Sequence, residues 1–254
     1  MPFAIETSDL IRDFGTFRAV DHLSLQVEPG RFYGFLGPNG AGKSTTIKML
    51  TGLLAPTSGV IRLFGDDTSD PARALAVKRR VGVVPENLAL FDNLTAREYL
   101  TFVGRMYLLA PDVIRKRCDE LLTMMDLADE DKKLTLEFSH GMKKKLALAA
   151  ALIPNPDLLF LDEPFEGVDA VASRTLRDTL KHVVSRGATV FLTSHVLEIV
   201  EKLCTDVGII ARGRLVHQGS MDELRKGGSL EDKFLDVVGG TRDADGQKLS
   251  WLEA

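Results

Sequence analysis

The run Gly37-Pro38-Asn39-Gly40-Ala41-Gly42-Lys43-Ser44-Thr45 leaves this chain few folds to choose from. It fits G-x-x-x-x-G-K-[ST], and its flanks fit the same motif. Residues 32–36 before it form a short apolar segment that reads as a buried strand. After it, Ile47, Leu50 and Leu54 recur at the spacing of one helix face, which predicts a helix over residues 43–54. Strand, glycine loop and helix in that order make a cradle for phosphate. The glycines let the backbone curl with its N–H groups turned inward, and the helix aims its positive end at the same point. Lys43 can reach β- and γ-phosphates, and the Ser44 hydroxyl can bind Mg2+, with Thr45 beside it. Such a loop fixes a triphosphate but neither a base nor a reaction.

The rest of the chain alternates strand and helix patterns. Strands are expected at residues 3–6, 23–27, 60–64, 81–84, 158–161, 188–192, 207–210 and 215–217, and helices at 73–80, 170–185 and 196–203. Between them, 94–109, 113–127 and most of 134–153 read as helical with no convincing strand, so a helical insert is expected in a mixed domain. Thr95 with Glu98, and Ser220 with Glu223, have capping-box spacing. Residues 239–248 read as a polar, glycine-bearing tail, with Trp251 expected to pack back.

Composition narrows the function classes. Of 254 residues, 44% are hydrophobic and 27% charged, the values of a soluble globular chain. Thirty-two basic against 36 acidic residues give a net charge of −4, which argues against non-specific nucleic-acid binding. The longest apolar run, residues 146–153, falls far short of the roughly 20 residues a membrane-spanning helix needs. The N-terminus lacks the pattern of a secretory signal. Cys118 and Cys204 have no zinc-type spacing and read as free thiols in a reducing compartment.

A second element completes the triphosphate chemistry. Asp162 ends the apolar strand at 158–161, where a carboxylate can hold Mg2+ through its water shell. Glu163 follows, placed to polarise or orient an attacking water.

With these residues in hand, the chain resembles the ATP-binding subunit of an ABC transporter over about residues 4–226, leaving 227–254 as a C-terminal tail. The phosphate loop looks like Walker A. Leu158-Leu159-Phe160-Leu161-Asp162-Glu163-Pro164 looks like Walker B with its catalytic glutamate. Phe138-Ser139-His140-Gly141-Met142 sits where the signature LSGGQ would be, Pro85-Glu86 at the Q-loop, Gly167-Val168-Asp169 at the D-loop and Thr193-Ser194-His195 at the switch histidine. The closest similarity is to subunits of ABC-2 type exporters. The resemblance implies an α/β fold of the P-loop NTPase, ABC-type class. Its parts would be an N-terminal antiparallel β subdomain, a RecA-like mixed β-sheet core and a helical subdomain inserted at approximately 87–154. It implies ATP and Mg2+ as ligands, with Glu163 and His195 catalytic and Ser44, Glu86 and Asp162 serving the metal. Phe14 takes the place of the aromatic that stacks on adenine, with Phe17 a competing platform. Two copies, identical or paralogous, would stack head to tail. Ser139 and Gly141 of one would meet the γ-phosphate held by the other, and Asp169 would organise the contact.

The implied activity is ATP hydrolysis that powers a separate integral membrane permease, an exporter by the same resemblance, from the cytoplasmic face of the membrane. No nucleic acid is expected as partner. The alternatives are a soluble ATPase of this type acting on ribosomes or DNA, and a regulatory ATP-binding module. Against the second stand Glu163 and His195, since binding alone needs no placed base. The chain departs from the family pattern at Glu86, where glutamine is usual and where glutamate is acceptor-only. It departs again at Phe138, His140 and Met142 of the signature. The run Lys143-Lys144-Lys145 is expected to be a solvated helix face, with electrostatic support of the nucleotide interface as the alternative. Most of Met106, Tyr107, Leu108, Met124 and Met125 are expected in the core, and a groove between the insert and Glu86 is the implied docking place for the permease.

Overall fold

Short apolar segments that must be covered on both faces assemble into one sheet in the computed structural model, which describes residues 2–130, 132–226 and 229–238. β3 (Phe32–Leu36), β6 (Val81–Val84), β7 (Leu158–Asp162) and β8 (Thr189–Ser194) run parallel, and β9 (Asp206–Ala211) joins β3 in parallel. β10 (Arg214–Ser220) closes the edge antiparallel to β9, so the order is β10-β9-β3-β8-β7-β6. Every residue of β3, β7 and β8 is buried, as parallel strands flanked by helices require. Phe191 on β8 anchors the centre, with ring centroids 5.4 Å from Tyr33, 5.3 Å from Phe35 and 5.6 Å from Phe160.

A second, antiparallel sheet comes from alternating segments: β1 (Ile5–Phe14), β2 (Phe17–Val27), β4 (Ser58–Leu63) and β5 (Asp66–Asp67), in the order β2-β1-β4-β5. Its buried Ile5, Leu10 and Leu23 share one core with Tyr33 and with Ile47 of α1 (Lys43–Leu50). The expected mixed core and N-terminal antiparallel sheet are therefore both present. Between β6 and β7 stand α3 (Ala96–Met106), α4 (Pro111–Met124) and α5 (His140–Leu152), with no strand among the described residues there. The remaining helices are α2 (Pro71–Lys78), α6 (Ala170–Ser185), α7 (Leu197–Leu203), α8 (Met221–Lys226) and α9 (Leu230–Val238).

Local signals held where a cap defined them. The Thr95 amide donates to Glu98 and the Glu98 amide returns to Thr95 Oγ1, so α3 starts with a full capping box. At Ser220 only one half forms, the Glu223 amide donating to Ser220 Oγ. The expected helix from residue 43 stops at Leu50, because Gly52 takes a left-handed backbone at φ 72° and the Leu53 amide turns back onto the Lys48 carbonyl. The expected helix over 134–153 begins only at His140, because Ser139 is its N-cap. The insert's side chains correct a core expectation. Met125 is fully buried, but Met106 (66% exposed), Leu108 (75%) and Met124 lie at the surface. Cys118 and Cys204 are both buried. α9 was not anticipated, yet its Leu230 packs into the core. The tail at 239–248 and Trp251 lie outside the described residues. No helix among the described residues is long and apolar enough to cross a membrane.

Candidate active site

The parallel strands of the main sheet end side by side, and their last residues bring the chemistry together. The glycine loop leaves β3 and enters α1 through Gly42, the N-cap, at φ 107°. A side chain there would be strained, and its Cβ would stand 2.5 Å from the Ala19 carbonyl oxygen. The Lys43 ammonium is buried and donates to the carbonyls of Gly37 (2.7 Å) and Pro38 (3.3 Å). No acidic residue of α1 itself lies in its first turn.

A cavity of about 460 Å³ opens over this loop. Residues 39–45 line it together with Phe17 and Ala19 of β2 and with Glu86, Glu163, Glu166 and His195. Phe14, the expected base platform, is not among the lining residues. The Arg12 guanidinium lies 4.5 Å from its ring centroid, while Phe17, its partner across the β1–β2 turn, reaches the cavity. Ser44, Glu86 and Asp162 come together. Ser44 Oγ is 3.3 Å from Asp162 Oδ1 and 3.4 Å from Glu86 Oε2, so one hydroxyl touches both carboxylates.

Glu163 sits at φ 48°, in the left-handed region, immediately after β7. Its Oε2 is 3.0 Å from His195 Nδ1 and accepts more weakly from the His195 amide at 3.4 Å. Its Oε1 is 3.9 Å from Lys43 Nζ. The carboxylate thus links the phosphate lysine to the histidine after β8. Thr193, to which sequence reasoning gave no role, organises both acidic residues. It is fully buried opposite Asp162 in the β7–β8 ladder. Its hydroxyl donates to Asp162 Oδ1 at 2.6 Å and accepts from the Glu163 amide at 3.1 Å. A threonine facing a strand-end aspartate is visible only once the register is known. Thr193→Val should therefore lower stability by about 1–3 kcal/mol in urea denaturation. An unchanged midpoint and slope would show that this hydroxyl is dispensable.

The signature and D-loop residues form a separate cluster. Ser139 caps α5 by accepting from the Met142 amide, and Asp169 caps α6 by accepting from the amides of Val171 and Ala172. Those amides hold the Asp169 carboxyl below its usual range. A Cβ on Gly141 would stand 3.2 Å from Asp169 Oδ2, so the two helix starts meet. His140 Nε2 lies 3.3 Å from the Glu166 carbonyl oxygen. None of Ser139, Gly141 and Asp169 lines the cavity of this same chain.

The lysine run is not the solvated face that its charge suggests. Lys144 and Lys145 are buried. Lys145 Nζ is 3.5 Å from Asp126 Oδ2, and Lys144 Nζ donates to the Glu163 carbonyl at 3.0 Å. Burial pulls the Lys144 pKa below the usual lysine value, against the opposing pull of Glu166, Asp162, Glu86 and Glu163.

Comparison with known proteins places this geometry in context. Residues 20–166 match the family described as ABC transporter. The chain is 40% identical over 228 residues to the bacitracin transport ATP-binding protein BcrA of Bacillus licheniformis, covering 89% of this chain and 72% of that one. It is 40% identical over 223 residues to the daunorubicin/doxorubicin resistance ATP-binding protein DrrA of Streptomyces peucetius, covering 87% and 67%. It is also 40% identical over 225 residues to a Nod factor export ATP-binding protein of Paraburkholderia xenovorans, covering 87% and 72%. Among solved structures, an ATP-binding subunit of an ABC transporter superposes with TM-score 0.85 at 29% identity, over 92% of this chain and 99% of that one.

Proposed function

Because this chain belongs to the ABC transporter family as an ATP-binding, ATP-hydrolysing subunit of exporter type, we propose that its cavity is one half of a two-copy ATPase site that drives a separate membrane permease. The observation that carries this reading is the convergence of Lys43, Ser44, Glu163 and His195 on one cavity, with Asp162 touching Ser44 at its edge, while Ser139 and Gly141 stand outside it.

In this reading the amides of residues 37–45 and the Lys43 ammonium hold the triphosphate. Ser44, Asp162 and Glu86 suit Mg2+. Together they present one hydroxyl and two carboxylates, all hard oxygen donors, and Mg2+ takes one or two carboxylates beside phosphates and water. The ion would neutralise charge on the phosphates. Glu163 accepts a proton from, or orients, the attacking water, and His195 holds the Glu163 carboxylate and reaches the γ-phosphate. Phe17 is the hairpin aromatic better placed to stack on the base.

Ser139, Gly141 and Asp169 act on the nucleotide of a second copy, identical or paralogous. The N-terminus of α5, with the Ser139 hydroxyl beside it, suits a phosphate presented from outside. The permease docks on the apolar groove of about 220 Å³ between Pro85 and Leu88 on one side and Tyr99 and Tyr107 of the insert on the other. The subunit works at the cytoplasmic membrane face, and the relatives named for drug resistance and Nod factor export support export as the direction.

The test has two arms. Glu163→Gln with saturating Mg-ATP should shift from monomer to dimer in light scattering. Affinity purification of the wild type from membranes should recover an integral membrane protein. A variant that saturates with Mg-ATP yet stays strictly monomeric, with and without the membrane partner, ends the two-copy reading.

A further inference from the structure

Lys144 takes no part in the mechanism above, yet it is one of the most deeply buried charges in the molecule, at 2% exposure. It lines an apolar channel together with Val84, Leu148, Leu161 and Pro164, and its ammonium donates to the Glu163 carbonyl. A methionine would fill that apolar channel without desolvating a charge, so packing does not account for an ammonium there.

What the ammonium holds is unusual in itself. Glu163 has a left-handed backbone at φ 48°, which a residue with a Cβ adopts only when its surroundings impose it. Its peptide groups are pinned on both sides. The amide donates to Thr193 Oγ1, and the carbonyl accepts from Lys144 Nζ at 3.0 Å and from the Glu166 amide at 3.3 Å. That turn sends the carboxylate to His195 and toward Lys43. Lys144 is not among the residues that line the cavity.

From this we propose that Lys144 is a positioning residue for Glu163: its charge-assisted bond to the Glu163 carbonyl fixes the turn that aims the carboxylate into the site. The inference rests on Glu163 being the group that handles the attacking water. It also ties Glu163 to α5, the helix capped by Ser139 five positions earlier.

The test compares Lys144→Met, Lys144→Arg and Glu163→Gln in the full chain. Three readouts are taken: steady-state ATP hydrolysis, equilibrium ATP binding and thermal melting. Lys144→Met should lower kcat roughly 10- to 100-fold, the scale for a misplaced catalytic group, with ATP affinity within about twofold of wild type and Tm no lower. Lys144→Arg, which restores the cation, should recover most of the kcat. A Lys144→Met chain with wild-type kcat overturns the proposal. So does one whose kcat falls only in step with its affinity or Tm. Should Lys144→Met not fold, Lys144→Gln, which keeps an N–H donor without the charge, is read by the same split. If Glu163→Gln itself hydrolyses ATP like wild type, the role of Glu163 fails and Lys144 falls with it. If Glu163→Gln is inactive while Lys144→Met is normal, only the positioning role is lost.

Discussion

Glu163→Gln should bind Mg-ATP as tightly as the wild type and turn it over about 10²- to 10⁴-fold more slowly, the range that a general base contributes. The substitution is close to isosteric. Glutamine keeps an acceptor oxygen, so the contact to His195 Nδ1 can persist, and the backbone bonds to Thr193 and Lys144 are untouched. What disappears is the negative charge and the basicity. Binding rests on the glycine loop and Lys43, which the change leaves in place apart from the 3.9 Å approach of Lys43 to Glu163. Phosphate release at saturating ATP, set beside equilibrium binding of the same preparation, reads the two effects separately. Equal turnover in the two proteins would remove Glu163 from the chemistry.

Lys43→Ala should do the reverse and weaken ATP binding first. Its ammonium is buried and held by two loop carbonyls, so it stands ready for phosphate with little ordering left to do. A charged hydrogen bond of this kind contributes about 1.5–3 kcal/mol, which corresponds to a loss of affinity of roughly 10- to 150-fold. Alanine also leaves the Glu163 carboxylate without its cation, which adds to the loss. Titration with a fluorescent ATP analogue measures the change. Wild-type affinity in this variant would show that the loop amides alone bind the triphosphate.

How much of this was legible in the residues differs from one part of the site to the next. The glycine loop, Asp162, Glu163 and His195 each sit at the end of a strand, and the structure brings them to one cavity or its edge. The glycine loop and Asp162 followed from local pattern, whereas His195 entered through the family resemblance, since the expected strand at 188–192 stopped short of it. Thr193 was visible as a residue but not as a participant, because its role depends on the pairing Asp162↔Thr193 between strands that the sequence does not register. Three consecutive lysines look like a wet surface. Yet the helix they begin continues as Leu146, Ala147, Leu148, Ala149 and Ala150, all buried, and a helix apolar on every side must be enclosed. That run was the available sign that Lys144 and Lys145 point inward. The methionines of the insert err in the opposite direction. Met106 and Met124 are hydrophobic by type but lie near the C-terminal ends of their helices, outside the packed stripe. The two hairpin aromatics could not be separated by sequence, since their difference arises from which side of the β1–β2 turn faces the loop.

The position of β8 between β3 and β7 has a consequence for how the protein is made. The loop that carries Ser44 and the strand that carries Asp162 are 118 residues apart in the chain and never pair directly. Until residues 189–194 have emerged and slotted between them, β3 and β7 share no strand to set their spacing, and only the packing of α1 on β7 joins the two. Contacts of such long range form slowly. Capacity for nucleotide chemistry should therefore arrive in a single late step of synthesis, and no shorter N-terminal piece should possess a graded share of it.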